Sequence, residues 1–139
     1  VLSIKNLNPN VYVAAELLDE KFEEHLALAK CDEIMLTQDY QHSLLATASS
    51  GMGYSNVIKS LISDDADSGV IVQPIPEKYF GKTYGEYFAV VDADEDINGI
   101  LVGLLKDENG LKNQPLLTPD ESFEIPKGAK AILVRGKIA

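Results

Sequence analysis

The sequence predicts an α/β chain built from two linked modules. Three observations carry that prediction. Residues 1–62 alternate short apolar strands with helical stripes, and the polar, acidic stretch Ser63–Gly69 ("SDDADSG") then breaks the pattern. Residues 70–139 follow the order β-α-β-β-β, that of a small α+β lobe.

In the first module, Asn8-Pro9 stops a leading helix and residues 10–16 ("NVYVAAE") read as a buried strand. Asp19 is placed to cap the next helix. There Phe22, Leu26 and Ala29 fall on one face, and Glu20, Glu23 and Glu24 suit the positive end of the helix dipole. "EIMLT" (33–37) is a second strand. Thr37 or Asp39 can cap a helix running to about Ser50. After the break at "SGMG", Tyr54, Val57, Ile58, Leu61 and Ile62 give the strongest helical periodicity in the chain. Two strand–helix units bury too little surface for a stable parallel layer, so further strands are expected. A first residue of Val rather than Met fits a fragment or a processed chain, and lost upstream sequence is the favoured explanation.

In the second module, Pro74 and Pro76 make "VIVQPIPE" an edge strand, because proline cannot donate to a ladder. Tyr84, Tyr87, Phe88 and Val91 mark a short amphipathic helix. An apolar strand follows, then a turn at Asn109-Gly110, a return strand, a turn at Lys127-Gly128 and a final strand.

Composition narrows the function. The 139 residues carry 22 acidic and 12 basic groups, a net charge of −10 that would repel a phosphate backbone, so nucleic acid is not an expected partner. The excess is shared, with four basic and eight acidic groups in residues 1–62 and eight and fourteen in the rest. The sequence contains no apolar run long enough to span a membrane and no signal-peptide pattern. A single cysteine excludes an internal disulfide.

The motifs that suggest chemistry are weak. Asp94, Asp96, Asn98 and Gly99 open like a calcium loop, but the twelfth position is Leu105 where a bidentate Glu belongs. A polar turn between helix and strand is the better reading. Gly51-Met52-Gly53 lies between two helices rather than after a strand, so a hinge is preferred to a dinucleotide loop. His25 and His42 have no second ligand at metal spacing, and Cys31 is flanked by Asp32 and Glu33, which disfavour a thiolate nucleophile. No catalytic constellation can be read, and the chain is not expected to be an enzyme.

The order of elements does resemble a known family. "NPNVYVAAELLDEKFEEHLALAKCDEIMLTQDYQHSLLA" is similar to the second half of an RCK domain (regulator of K+ conductance, the KTN/TrkA-N family). "IPEKYFGKTYGEYFAVVDADEDINGILVGLLKDENG" with "PDESFEIPKGAKAILVRG" is similar to its TrkA-C lobe, although Ala129 stands where that family commonly has Asp. The resemblance implies a partial Rossmann-like parallel layer with crossover helices in residues 1–62, a linker at 63–69 and a TrkA-C lobe at 70–139. It also implies a ligand-sensing regulatory domain on the cytoplasmic side of the cell membrane. Such a domain controls potassium conductance of a channel or Trk-type transporter through rearrangement of a homodimer or octameric ring. The expected partners are therefore itself and a membrane pore or transporter subunit. Its nucleotide site would lie in an N-terminal half absent from these residues. A generic dimerisation module or a fragment of a nucleotide-binding enzyme are the alternatives.

Two sets of candidate residues follow. Tyr54, Val57, Ile58, Leu61 and Ile62, with Leu44 and Leu45 on the preceding helix, form an expected subunit interface; periodicity alone leaves packing on the chain's own sheet open. Some members of the family bind calcium through carboxylates near the crossover turn and the first strand of the C-lobe, where this chain has Ser50-Gly51 and Gln73. Asp64, Asp65 and Asp67 are the carboxylates that could substitute.

Overall fold

The computed structural model describes residues 1–62, 69–97, 99–108 and 111–136. They form two compact units, Val1–Ser55 and Asn56–Ala139. The division falls inside a helix, ahead of the acidic stretch at which composition changes.

The first unit runs α1 (Leu2–Leu7), β1 (Ala14–Leu17), α2 (Glu23–Leu28), β2 (Glu33–Leu36) and α3 (Thr37–Ser49). β1 and β2 pair in parallel, with Ala15 opposite Ile34 and Leu17 opposite Leu36. A parallel pair needs a crossover, and α2 supplies it. Asp19 does cap, but it caps the 3-10 turn Glu20–Phe22 that leads into α2, accepting from the Lys21 N–H at 3.0 Å. Phe22 consequently sits before the helix and is exposed rather than on its packed face. Thr37 is the first residue of α3 and its hydroxyl donates to the Glu16 carboxylate, so neither it nor Asp39 serves as the cap.

β1 is four residues long and alternates exposed and half-buried positions, where the sequence suggests a fully buried strand at 10–16. The reason is physical. With only two strands there is no layer thick enough to enclose either, and the described part of the first unit contains no buried residue. What ties it together is polar. Asp32 accepts from the Lys5 ammonium at 2.5 Å and from the Val13 N–H at 2.6 Å, and Lys5 also donates to the Val11 carbonyl at 2.6 Å. These bonds clamp α1 to the start of β1.

α4 (Tyr54–Leu61) leads into the second unit, which continues with β3 (Gly69–Pro74), α5 (Tyr84–Ala93), β4 (Ile100–Glu108), β5 (Leu111–Leu117) and β6 (Lys130–Arg135). The sheet order is β3-β6-β4-β5, antiparallel throughout, with the proline-bearing β3 at an edge as expected. Gly69 starts β3 at φ +100, and a Cβ there would lie 2.9 Å from the Leu61 carbonyl, so both conformation and space require glycine. Gly128 takes φ +82 at the expected turn before β6. The expected turn at Asn109-Gly110 lies outside the described residues.

α5 packs on one face of this sheet. Tyr84, Tyr87 and Val91 meet Leu101, Leu104, Ala131 and Leu133 in a closed core; Leu104 and Leu133 have no exposure at all. Full burial of a leucine contributes about 1.5–3 kcal/mol, and the Tyr84 hydroxyl keeps a partner by donating to the Leu101 carbonyl at 3.3 Å. The segment Gly81–Glu86 fixes where α5 begins. Gly81 turns with φ +78, and Thr83 and Glu86 form a reciprocal capping box. The remaining first-turn donors go to the connection before β6, Tyr84 to the Phe123 carbonyl and Gly85 to that of Glu121 at 2.7 and 2.9 Å, and Gly81 ahead of the helix donates to the Ile125 carbonyl at 2.9 Å. A Cβ on Gly85 would sit 3.1 Å from the Glu121 side chain and 3.2 Å from its carbonyl, so this close approach explains the glycine.

Candidate functional site

The apolar stripe of α4 is left largely open among the described residues. Tyr54 and Val57 are 50% and 59% exposed, Ile62 just beyond the helix is 67% exposed, and Ile58 and Leu61 are only half-buried. The i, i+3, i+4, i+7 spacing puts Tyr54, Val57, Ile58 and Leu61 on one face, opposite Lys59. Burying that face would remove several large apolar side chains from water, at about 25 cal/mol per Å². Leu44 and Leu45 lie exposed on α3. None of the residues of α3 is buried, Tyr40 is exposed as well, and the Thr47 and Ser49 hydroxyls, with that of Ser50 just after the helix, donate back to carbonyls four residues earlier.

Asp64, Asp65 and Asp67 lie outside the described residues. The second acidic cluster is described. α5 ends at Ala93, the Asp96 N–H donates to the Asp94 carboxylate at 3.0 Å, and Gly99 leads into β4, the expected turn from helix to strand. Asn98 lies outside the described residues. Among the described residues no three His, Cys, Asp or Glu side chains converge as metal ligands. The Cys31 Sγ lies 3.3 and 3.2 Å from the Val13 and Glu33 carbonyls, which share its one S–H donor, and so is engaged with the backbone around β1 and β2. His25 faces Phe22, their rings 6.1 Å apart.

Two clefts were not foreseen from the sequence. One, of about 490 Å³, lies between α5 and the chain after β5, lined by Tyr84, Phe88, Ala89, Leu101, Pro119 and Glu121. Phe88 was expected in the packed stripe of α5 but is partly exposed at this cleft. Thr118 at its lip has φ +45, uncommon for a β-branched residue, and its N–H is held by the Val102 carbonyl at 2.9 Å. The other, of about 430 Å³, borders the Lys5–Asp32 pair in the first unit. Those two charges are already spent on each other and on backbone groups. Beside Gly99, the Arg135 Nε is enclosed without a hydrogen-bond partner among the described residues.

No family model matches the chain, and no curated protein matches it. Solved structures do. The human SLO3 gating ring superposes with a TM-score of 0.67 at 13% identity over 96% of this chain and 27% of that one. The GsuK channel bound to NAD aligns at 16% identity over 96% of this chain and 22% of that one, with a TM-score of 0.41. The GsuK RCK domain aligns at 18% identity over 96% and 26%, with a TM-score of 0.36. The two GsuK superpositions are too loose to carry an argument. The first shows that the α/β layer followed by an antiparallel α+β lobe is a fold present in a gating ring, and that this chain spans about a quarter of the gating-ring chain it matches.

Proposed function

We propose that this chain is a regulatory, non-catalytic segment on the cytoplasmic side of a potassium channel or Trk-type transport system, acting through rearrangement of a homodimer or larger ring. The observation that supports the reading most is the pairing, in order, of a parallel strand–helix–strand layer with a capped α+β lobe, matched over 96% of the chain in the human SLO3 gating ring. The half-exposed apolar helix α4, between the two modules, is where a second copy would bind. No helix among the described residues is long and apolar enough to cross a membrane, so a pore would be supplied by other sequence or another subunit. The open edges of the β1–β2 pair support completion of the layer by strands outside these residues.

The test is potassium flux through the complete assembly that carries this sequence, reconstituted in vesicles. Val57→Asp with Leu61→Asp should change the ligand dependence of flux while leaving the pore competent. Flux identical to the unaltered assembly at every ligand concentration would overturn the reading.

Two finer parts of the proposal concern ligands. Asp64, Asp65 and Asp67 are the carboxylates through which a divalent cation such as calcium would bias the arrangement of the two modules. A nucleotide site is placed outside these 139 residues, because no strand-to-helix turn here carries G-x-G-x-x-G. One thermal-shift series checks both. Calcium at millimolar levels should raise the melting temperature, the rise should vanish in Asp64→Asn with Asp67→Asn, and NAD or ATP should leave it unchanged. An equal loss in Asp94→Asn with Asp96→Asn would mean that calcium only screens a surface of charge −10.

A further inference from the structure

The cleft between α5 and the chain after β5 lies wholly within the second unit, and its volume of about 490 Å³ suits a small molecule. Tyr84 and Leu101, both buried in the core, form its apolar inner side. Phe88 stands one turn of α5 beyond Tyr84, and the two rings lie 6.3 Å apart, tilted by 43°. Phe88 is partly exposed there, so its ring is within reach of a ligand.

The polar groups around the cleft are unequally engaged. The Tyr84 and Gly85 N–H groups donate to the Phe123 and Glu121 carbonyls, the Tyr84 hydroxyl to that of Leu101, and the Thr118 N–H to that of Val102. Pro119 has no N–H to offer. These donors are taken, and what remains is acceptor capacity in the Glu121 carboxylate and the π face of Phe88. No lysine or arginine lines the cleft, and Glu121 is in no ion pair among the described residues. Its backbone is held from two sides. The Gly85 N–H binds the Glu121 carbonyl at 2.9 Å, and the Asp120 carboxylate accepts from the Ser122 N–H at 2.9 Å and from the Ser122 hydroxyl. Asp120 is thereby occupied, and Glu121 is the one carboxylate that the lining presents.

We propose that this cleft binds a small organic ammonium ion with an apolar body. The body lies against Leu101, Ala89 and Pro119, and the ammonium group pairs with Glu121 and faces the Phe88 ring. An ammonium group has donors and no acceptor, which matches a site whose own donors are taken. Carboxylate and aromatic quadrupole both attract it. An anionic ligand would meet like charge at Glu121, in a chain of net charge −10, and none of the donors named above is free to receive it. The site lies inside one unit, so binding is read on the chain alone, and its failure would leave the assembly proposed above untouched.

NMR titration of the 139-residue chain with three probes of similar size tests the assignment: phenethylammonium, phenethyl alcohol and phenylacetate. Phenethylammonium should shift the Gly85, Ala89 and Leu101 amide resonances with a Kd on the order of 1 mM. The alcohol should bind at least about fivefold more weakly, and phenylacetate should not bind measurably. Glu121→Gln should weaken phenethylammonium about fivefold and Phe88→Leu about threefold, with resonances away from the cleft unchanged because both side chains are exposed. Glu95→Gln, outside the cleft, should leave the affinity as it is. Equal binding of the three probes overturns the proposal and leaves a plain apolar groove. Equal losses in Glu121→Gln and Glu95→Gln overturn it too, since the ion would then only be drawn to an acidic surface. So does the absence of any shift in these amides at about 10 mM phenethylammonium.

Discussion

Asp32 shows how one residue organises a unit that has no core. Its carboxylate receives the Lys5 ammonium first and the Val13 N–H second, and both hold its pKa below the usual carboxylate range. Because the folded value is depressed, the contribution is present above the unfolded value near 3.9 and is lost as pH falls through the lower folded one. Asp32→Asn should therefore lower the melting temperature at about pH 7, with the gap to the unaltered chain narrowing below roughly pH 4. A gap independent of pH would mean that the clamp acts through shape alone. Tyr12 is tied to the same place: its hydroxyl donates to Glu33 at 2.7 Å, and that bond, with smaller help from burial, pushes its pKa up to about 12.

At the scale of elements, what could be read in advance depended on how local the cause was. The strand and helix order of both modules is legible because hydrophobic period and proline or glycine punctuation are properties of a few adjacent residues. Tyr84, Tyr87 and Val91 at helical spacing do form the buried side of α5, and Pro74 does mark an edge. Two kinds of feature were not legible. The start of α5 depends on carbonyls of Glu121, Phe123 and Ile125, far along the chain, which no local pattern names. Which residues share a face of the lobe's sheet depends on register between strands, and a bulge between Leu101 and Gly103 shifts that register by one residue. The Tyr54–Ile62 stripe was legible as a helix; its role as an interface is a proposal.

The capping box gives a prediction at this scale. Thr83 accepts from the Glu86 N–H while Glu86 accepts from the Thr83 N–H, which also holds the Glu86 carboxyl below its ordinary range. Thr83→Ala should destabilise the lobe by about 1 kcal/mol in urea unfolding, and Thr83→Ser should restore most of it. A loss in both variants alike would trace the effect to packing of the threonine methyl.

For the whole molecule, the contrast between the two units is the main physical result. The lobe closes a core of its own, with Ile75, Tyr84, Tyr87, Leu104, Ile125 and Leu133 buried, whereas the described part of the first unit buries no residue fully. A chain of this kind gains stability by covering surface from outside, and α4 offers the most continuous apolar helix face for that purpose. Sedimentation velocity on Val57→Asp with Leu61→Asp tests this claim most directly. The account predicts a dimer for the unaltered chain and a monomer for the double variant, with the lobe still folded by circular dichroism. An unchanged dimer carrying both aspartates would contradict it.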